Sequence, residues 1–234
     1  MAKLLDLFCG GGGAAWGYHL AGFDDITGVD IVPQKNYPFR FVQADALQYL
    51  AEHGQEFDVI HASPPCQAYS VMNNLPWLKG RNYPTLILPT LEMLETLGKP
   101  YVLENVMGAR HGAKGLTKRG LETHGLKAGW LCGQMFGLPI YRHRLFATNW
   151  FWLAPGHPKH QNRVMALGKW QGYGTTLEDG GRRLAAGVGH AKGWRLAAEA
   201  MGIDWMNRAE LTQAIPPCYT LYIGSRLREM LGSP

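Results

Sequence analysis

The chain has 234 residues, of which 46% are hydrophobic and 18% charged, a balance that excludes a disordered or fibrous polypeptide and fits one full globular domain with a small appendage. Its formal net charge of +5 is a mild bias towards polyanionic partners that does not by itself separate nucleic acid from ordinary solubility. The four cysteines, Cys9, Cys66, Cys132 and Cys218, lie far apart with no C-x-x-C pair, so a zinc knuckle and a dense disulfide framework are both excluded, no metal is assigned, and a reducing cytoplasmic setting fits.

In chain order, the first apolar run, KLLDLF, is broken by Asp6 and followed by glycines, too short for a signal or membrane segment, so the protein is expected to be soluble and not exported. KLLDLF, DDITGVDI, FRFVQ, EFDVIHA and KPYVLENV read as strands, separated by helices over 14–21, 45–52 and 84–97. That alternation predicts a mostly parallel α/β sheet whose ligand crevice lies at the carboxyl ends of the strands. Residues 107–128 and 149–192 are Gly-rich, each carry a net charge of +4, and read as basic, loop-like inserts. The second also holds Trp150, Phe151, Trp152, Trp170 and Tyr173, so it suits a polyanion clamp as well as a solvated loop. Residues 207–214 and 217–231 read as helices, the second placing Leu221, Ile223, Leu227, Met230 and Leu231 near one face.

Five strand ends carry chemistry. LLDLF-CGGGG-AAWGY orders strand, glycine loop and helix, with Gly10-x-Gly12-x-x-Ala15 matching G-x-G-x-x-G/A. A tight turn explains such a pattern equally well; Asp30 and Asp45, which close the next two predicted strands, tip it towards an adenosine-containing ligand. EFDVIHA runs into Ser63-Pro64-Pro65-Cys66-Gln67-Ala68-Tyr69-Ser70, a poor core environment for a cysteine and a good one for a nucleophile. YVLENV delivers Glu104, which suits a helix cap or ion pair as readily as catalysis. In Tyr141-Arg142-His143-Arg144-Leu145-Phe146, strand alternation puts both arginines on one face, for an anion, a carbonyl or solvent.

Taken in order, these residues resemble the DNA (cytosine-5-)methyltransferases. DLFCGGGG is similar to the family's DLFAGxGG loop, PPCQAYS to its PCQ-x-FS nucleophile motif, LENV to its ENV motif, and RHRLF to the end of QxRxRxF. Glu199-Ala200-Met201-Gly202 is similar to the penultimate motif and Gln213-Ala214-Ile215-Pro216-Pro217 to the last. The resemblance implies a Rossmann-like S-adenosylmethionine-dependent methyltransferase sheet built from residues 1–148 and 193–234, with 149–192 as a very small DNA-recognition insert. It also implies S-adenosylmethionine as cofactor, held by Phe8, Gly10, Gly12, Asp30, Ile31, Asp45 and Pro65, with no metal. Cys66 would add to cytosine C6, Glu104 would hold N3 and the exocyclic amine, and Arg144, beside Arg142, would bind O2. Because the cytosine must leave the duplex stack, the loop from Asn73 to Arg81 after the nucleophile would close over it, and Gln67, Ser70, Lys79, Arg81, Arg163, Arg182 and Arg183 would contact nucleic acid.

The departures from the family pattern are Ile140 for a usual Gln, Thr212-Gln213 for Gly-Asn, Cys9 for a common Ala, and an insert of only 44 residues. So small an insert implies a short target or an accessory protein. The chain is expected to be a cytoplasmic monomer of a prokaryotic or phage-infected cell, with DNA as its partner and no membrane contact. The competing readings are a cytosine-5 methyltransferase of RNA, a catalytically inactive nucleic-acid-binding relative, and a nicotinamide dehydrogenase, which shares the glycine loop but has no use for PPCQ.

Overall fold

The computed structural model describes residues 2–69, 82–111, 115–138, 140–160, 164–165, 184–185 and 194–232. Its strands are β1 (Lys3–Leu7), β2 (Asp25–Asp30), β3 (Arg40–Gln43), β4 (Val59–Ala62), β5 (Tyr101–Val106), β6 (Lys127–Leu131) and β7 (Arg144–Thr148), which form one seven-stranded sheet in the order β3-β2-β1-β4-β5-β7-β6. The first five pair in parallel, as the βα rhythm predicts; β7 runs antiparallel to both β5 and β6. Two-residue strands β8 (Val164–Met165) and β9 (Leu184–Ala185) pair separately.

The sheet is covered on both faces, which is why its central strands read as nearly continuous apolar runs. Helices α2 (Ala46–His53) and α3 (Ile87–Leu97) belong to one face. There Leu50, Ile87, Leu91 and Leu94 pack with Leu5 and Leu7 of β1, Ile60 of β4 and Leu103 of β5. Helix α1 (Gly13–Leu20) and α7 (Pro217–Met230) cover the other, where Tyr18, Tyr219, Ile223 and Leu227 join Leu4, Val59 and Val102. Helices α5 (Trp194–Met201) and α6 (Arg208–Gln213) build a smaller apolar cluster with Ile140, Met206 and Ala214.

Three sequence expectations change here. Residues 107–128 are no loop-like insert: they contain α4 (Lys118–Thr123) and the start of β6, and bury Leu116, Leu121 and Leu126 in the core. Trp150 and Trp152 are buried rather than offered to nucleic acid, the Trp150 indole donating to Tyr101 O at 3.1 Å. On α7 the buried face is Tyr219, Thr220, Ile223, Gly224 and Leu227, while Met230 is exposed. Among the described residues no helix is long and apolar enough to cross a membrane.

Candidate active site

The glycine loop turns at the carboxyl end of β1. Phe8 sits at φ 58°, in the left-handed region that costs a non-glycine residue of order 1–3 kcal/mol and is found where function requires it. Gly10, at φ 49°, has open space where a Cβ would point. Asp30 holds the loop in place: its Oδ2 accepts from Gly10 N at 3.0 Å and its Oδ1 from Val32 N at 2.9 Å. Gly12 faces the other way, for a Cβ on it would press on Pro38 and Tyr37.

The cysteine loop is fastened from both sides. Ser63 Oγ donates to Phe8 O at 3.2 Å, and the Asn105 side-chain amide donates to Pro64 O at 2.8 Å. The turn that follows closes when Tyr69 N donates to Cys66 O, at 3.0 Å. Thus Asn105, which the sequence offered only as a neighbour of Glu104, positions the cysteine loop.

Both loops open into one cavity of about 380 Å³, within the range of small-molecule sites. Phe8, Gly10, Asp30 and Ile31 line its glycine-loop side; Pro65, Cys66, Gln67, Glu104 and Arg144 line the other, with Gln213 and Ile215 beside them. Ile31 is 66% exposed, an apolar surface left open beside the acid. Gly11 and Gly13, not Gly12, line the space, and the Trp205 indole buttresses the loop by donating to Gly11 O at 2.9 Å. Asp45 is the N-cap of α2, its Oδ1 accepting from Leu47 N and Gln48 N.

The electrostatics are set by burial. Glu104 is buried, and desolvation raises its pKa to about 7 against the opposing pull of Arg144 and Arg142. Its Oε1 lies 3.0 Å from Arg144 Nε without accepting an aligned hydrogen bond, so the carboxyl keeps bonding capacity for a substrate. Burial and the nearby Glu104 push the Cys66 thiol up, and Arg144 and Arg142 pull it back. Arg142 lies just outside β7, fully buried behind the cavity and not among its lining residues. It donates to Thr212 O at 2.7 Å, and burial with Arg144 beside it lowers its pKa to about 9. Ile140, in place of a glutamine, packs among Met201, Met206 and Leu211.

The sheet order, the glycine loop and the Cys-Glu-Arg convergence define a cofactor-dependent methyltransferase of the cytosine-5 class. The C-5 cytosine-specific DNA methylase family model matches residues 2–148: the chain belongs to that family, and its activity is that of a DNA (cytosine-5-)methyltransferase. It is 27% identical over 184 residues to the Type II methyltransferase M.AquIA of Picosynechococcus, with 71% of each chain covered. To the Type II methyltransferase M.AgeI of Thalassovita gelatinovora it is 25% identical over 185 residues, covering 68% of this chain and 43% of the relative. The fold is similar to that of the Schizosaccharomyces pombe Dnmt2 methyltransferase (TM-score 0.61, 15% identity, 98% of this chain and 99% of that one). It also resembles the Entamoeba histolytica methyltransferase EhMeth (TM-score 0.59, 13% identity, 99% of each).

Of the residues expected to touch nucleic acid, only Gln67 is among those described, in the turn after Cys66. Ser70, Lys79, Arg81, Arg163, Arg182 and Arg183 lie outside the described residues. Three supports escaped the sequence reading: Asn105, Trp205 and Tyr219, whose hydroxyl donates to Arg142 O at 2.6 Å. An asparagine beside the acid of ENV was a readable signal; a tryptophan distant in sequence was not.

Proposed function

We propose that the chain methylates cytosine C5 through a covalent adduct of Cys66 on a base flipped out of duplex DNA. The observation that carries this is the meeting of Cys66, Glu104 and Arg144 in the cavity that the glycine loop also lines.

The glycine-loop side fits S-adenosylmethionine, which supplies an electrophilic methyl group. Open space over Gly10 admits the ligand against backbone, Asp30 retains lone pairs for ribose hydroxyls, and the exposed Ile31 offers an apolar seat for adenine. Ala44 N donates to Asp30 O at 3.1 Å, which sets Asp45 beside this strand end, where its carboxylate would take the adenine amine. Gln213 would stand near the methionine end.

Cytosine C5 is a poor nucleophile. Addition of the Cys66 thiolate forms an S–C6 bond and makes C5 electron-rich; C5 takes the methyl group, leaving S-adenosylhomocysteine; a base then takes the C5 proton as the S–C6 bond breaks, which releases the Cys66 thiolate and restores the ring. Glu104 in its protonated form donates to N3 and accepts from the exocyclic amine, so charge that develops on the ring during thiolate addition is neutralised where it forms. Arg144 donates to O2 and keeps the Glu104 carboxyl aligned. Arg142 positions Arg144 and the Thr212 backbone.

Residues 149–192 remain, on this reading, the recognition insert of a chain that acts on DNA in the cytoplasm. In the test, protein, S-adenosylmethionine and 5-fluorocytosine DNA should give a denaturant-stable adduct, because fluorine cannot leave as a proton. Cys66→Ser should abolish it, and a trapped adduct in that variant would refute the nucleophile. Preferential trapping on RNA would transfer the substrate to the other nucleic acid.

A further inference from the structure

Outside the cavity, at the edge of the sheet where β6 turns towards β7, four metal-ligating side chains meet. Cys132 follows β6, His143 precedes β7, and His157 and His160 lie beyond β7, in the opening part of the 149–192 segment. One ligand atom from each can be chosen so that all lie within 4.8 Å of one another, with Cys132 Sγ 3.4 Å from His160 Nε2. We propose that Cys132, His143, His157 and His160 bind one structural zinc ion that fastens the root of the insert to the sheet edge.

The distances fit the ion. Zinc with bonds of about 2.3 Å to sulfur and about 2.0 Å to nitrogen in a tetrahedron holds its ligand atoms about 3.3–3.6 Å apart, so the Cys132–His160 pair already has the right separation and the others need only small rotations. The donors fit as well: one thiolate and three imidazoles suit a borderline-soft cation. Four protein ligands close a tetrahedral site, leaving no position for water or substrate, which makes the site structural rather than catalytic.

The surroundings orient the ligands. Tyr141 stacks flat on His160, ring centroids 3.7 Å apart at 6°, and Trp130 packs against both His143 and His157 at 5.2 and 4.6 Å. Cys132 is buried while His157 and His160 are exposed; exposed imidazoles held in mutual contact gain little from one another and much from a shared cation. The sequence reading assigned no metal because it looked for paired cysteines. Here the short-range signal is His157-x-x-His160 alone, and the fold supplies the other two ligands. His143 stands between Arg142 and Arg144, so an ion on its ring would also fix the backbone from which Arg144 enters the cavity.

Elemental analysis of the full-length, untagged protein purified without chelator should find close to one zinc per chain. It should find a small fraction of that in the double variant His157→Ala/His160→Ala, whose changes lie on the exposed surface, and full occupancy in His53→Ala, which alters a half-buried histidine on α2 outside the cluster. Cobalt added to chelator-stripped protein should give the strong visible bands of a tetrahedral site and a thiolate charge-transfer band that Cys132→Ser removes. Circular dichroism and S-adenosylhomocysteine binding check that the double variant is folded. Wild-type protein that neither carries zinc nor takes up cobalt in tetrahedral form would overturn the proposal, as would zinc retained in a folded double variant.

Discussion

Glu104 works as an acid in the proposed chemistry while its pKa, raised to about 7 by burial, leaves it half ionised at neutral pH. Catalysis needs Glu104 protonated and Cys66 ionised, and the Cys66 thiol is itself pushed up. Below about pH 7 Glu104 is protonated, so kcat/KM should rise tenfold per pH unit with the thiolate fraction. Above it, each gain in thiolate is matched by a loss of protonated Glu104, and the profile should level off. In Glu104→Gln, which cannot ionise, the break near pH 7 should vanish while the rate stays well below wild type; a break surviving in that variant would assign it to another group. Cofactor residues call for separate tests. Asp30→Ala removes the proposed ribose acceptor and the anchor of the glycine loop together, and should weaken S-adenosylhomocysteine binding about 10- to 100-fold by calorimetry. Asp45→Ser keeps a good N-cap for α2 but shortens the reach to adenine, so binding should fall about tenfold with Tm unchanged; a fall in Tm alone would make Asp45 a cap and nothing more. Cys66 was legible from the residues alone, because a proline-framed cysteine at a strand end has few structural uses; Glu104 and Arg144, each open to a structural use, were singled out by the family resemblance, and the fold brings all three to one cavity. The cavity face of the glycine loop was not, since which of Gly10 to Gly13 faces a ligand depends on where Pro38 and Tyr37 pack.

Helices α1 and α7 meet more closely than side chains would allow. A Cβ on Gly17 would collide with Pro217 O and Thr220 Oγ1, and one on Gly13 with Ile215 O. In that space Thr220 Oγ1 donates to Ala14 O at 2.8 Å, tying the last helix of the chain to the first. Because Pro217 O and Leu221 N, both against that Cβ, belong to the α7 backbone, Gly17→Ala cannot be relieved by a rotamer change alone. Overpacking of this kind costs about 1–3 kcal/mol, and Tm should fall by about 2–12 °C at this chain length. An unchanged Tm would show that α7 slides freely on α1. The same contact marks the limit of sequence reading for elements. Strands β1 to β5 and β7 and helices α1, α2, α3, α6 and α7 were legible to within a few residues from their apolar rhythm, whereas the buried stripe of α7 was misplaced because Thr220 and Gly224 count as core only once α1 lies against them. Helices α4 and α5 and strands β6, β8 and β9 went unread. The helices are short, and Lys127-Ala128-Gly129-Trp130-Leu131 is a strand by virtue of β7 alongside it, with Gly129 leaving room for the Trp152 ring.

At the scale of the whole molecule, the charge of +5 and the two basic segments were read correctly as totals and only partly as places. Residues 107–128 use their leucines in the core, and the opening of 149–192 is bound to the sheet by Asn149, whose amide donates to Lys99 O at 2.9 Å, and by Trp150. If the segment recognises DNA as proposed, what remains for that task is its later basic part, which includes Arg163, Arg182 and Arg183. A segment this short can present few base-reading side chains, each worth about 1–3 kcal/mol of discrimination, so a target of about two to four base pairs is expected. The arginines can be sorted by salt. Removing one that binds a phosphate should weaken all duplexes alike and reduce the slope of log K against log salt by about 0.9, whereas removing one that reads a base should leave the slope and relax the methylated site. Binding isotherms on a non-cognate duplex at several salt concentrations, with sequencing of the methylated products of Arg163→Ala, Arg182→Ala and Arg183→Ala, supply both readings. A long recognition site unchanged in all three variants would move specificity out of this segment, to the basic surface of 107–128 or to a second protein.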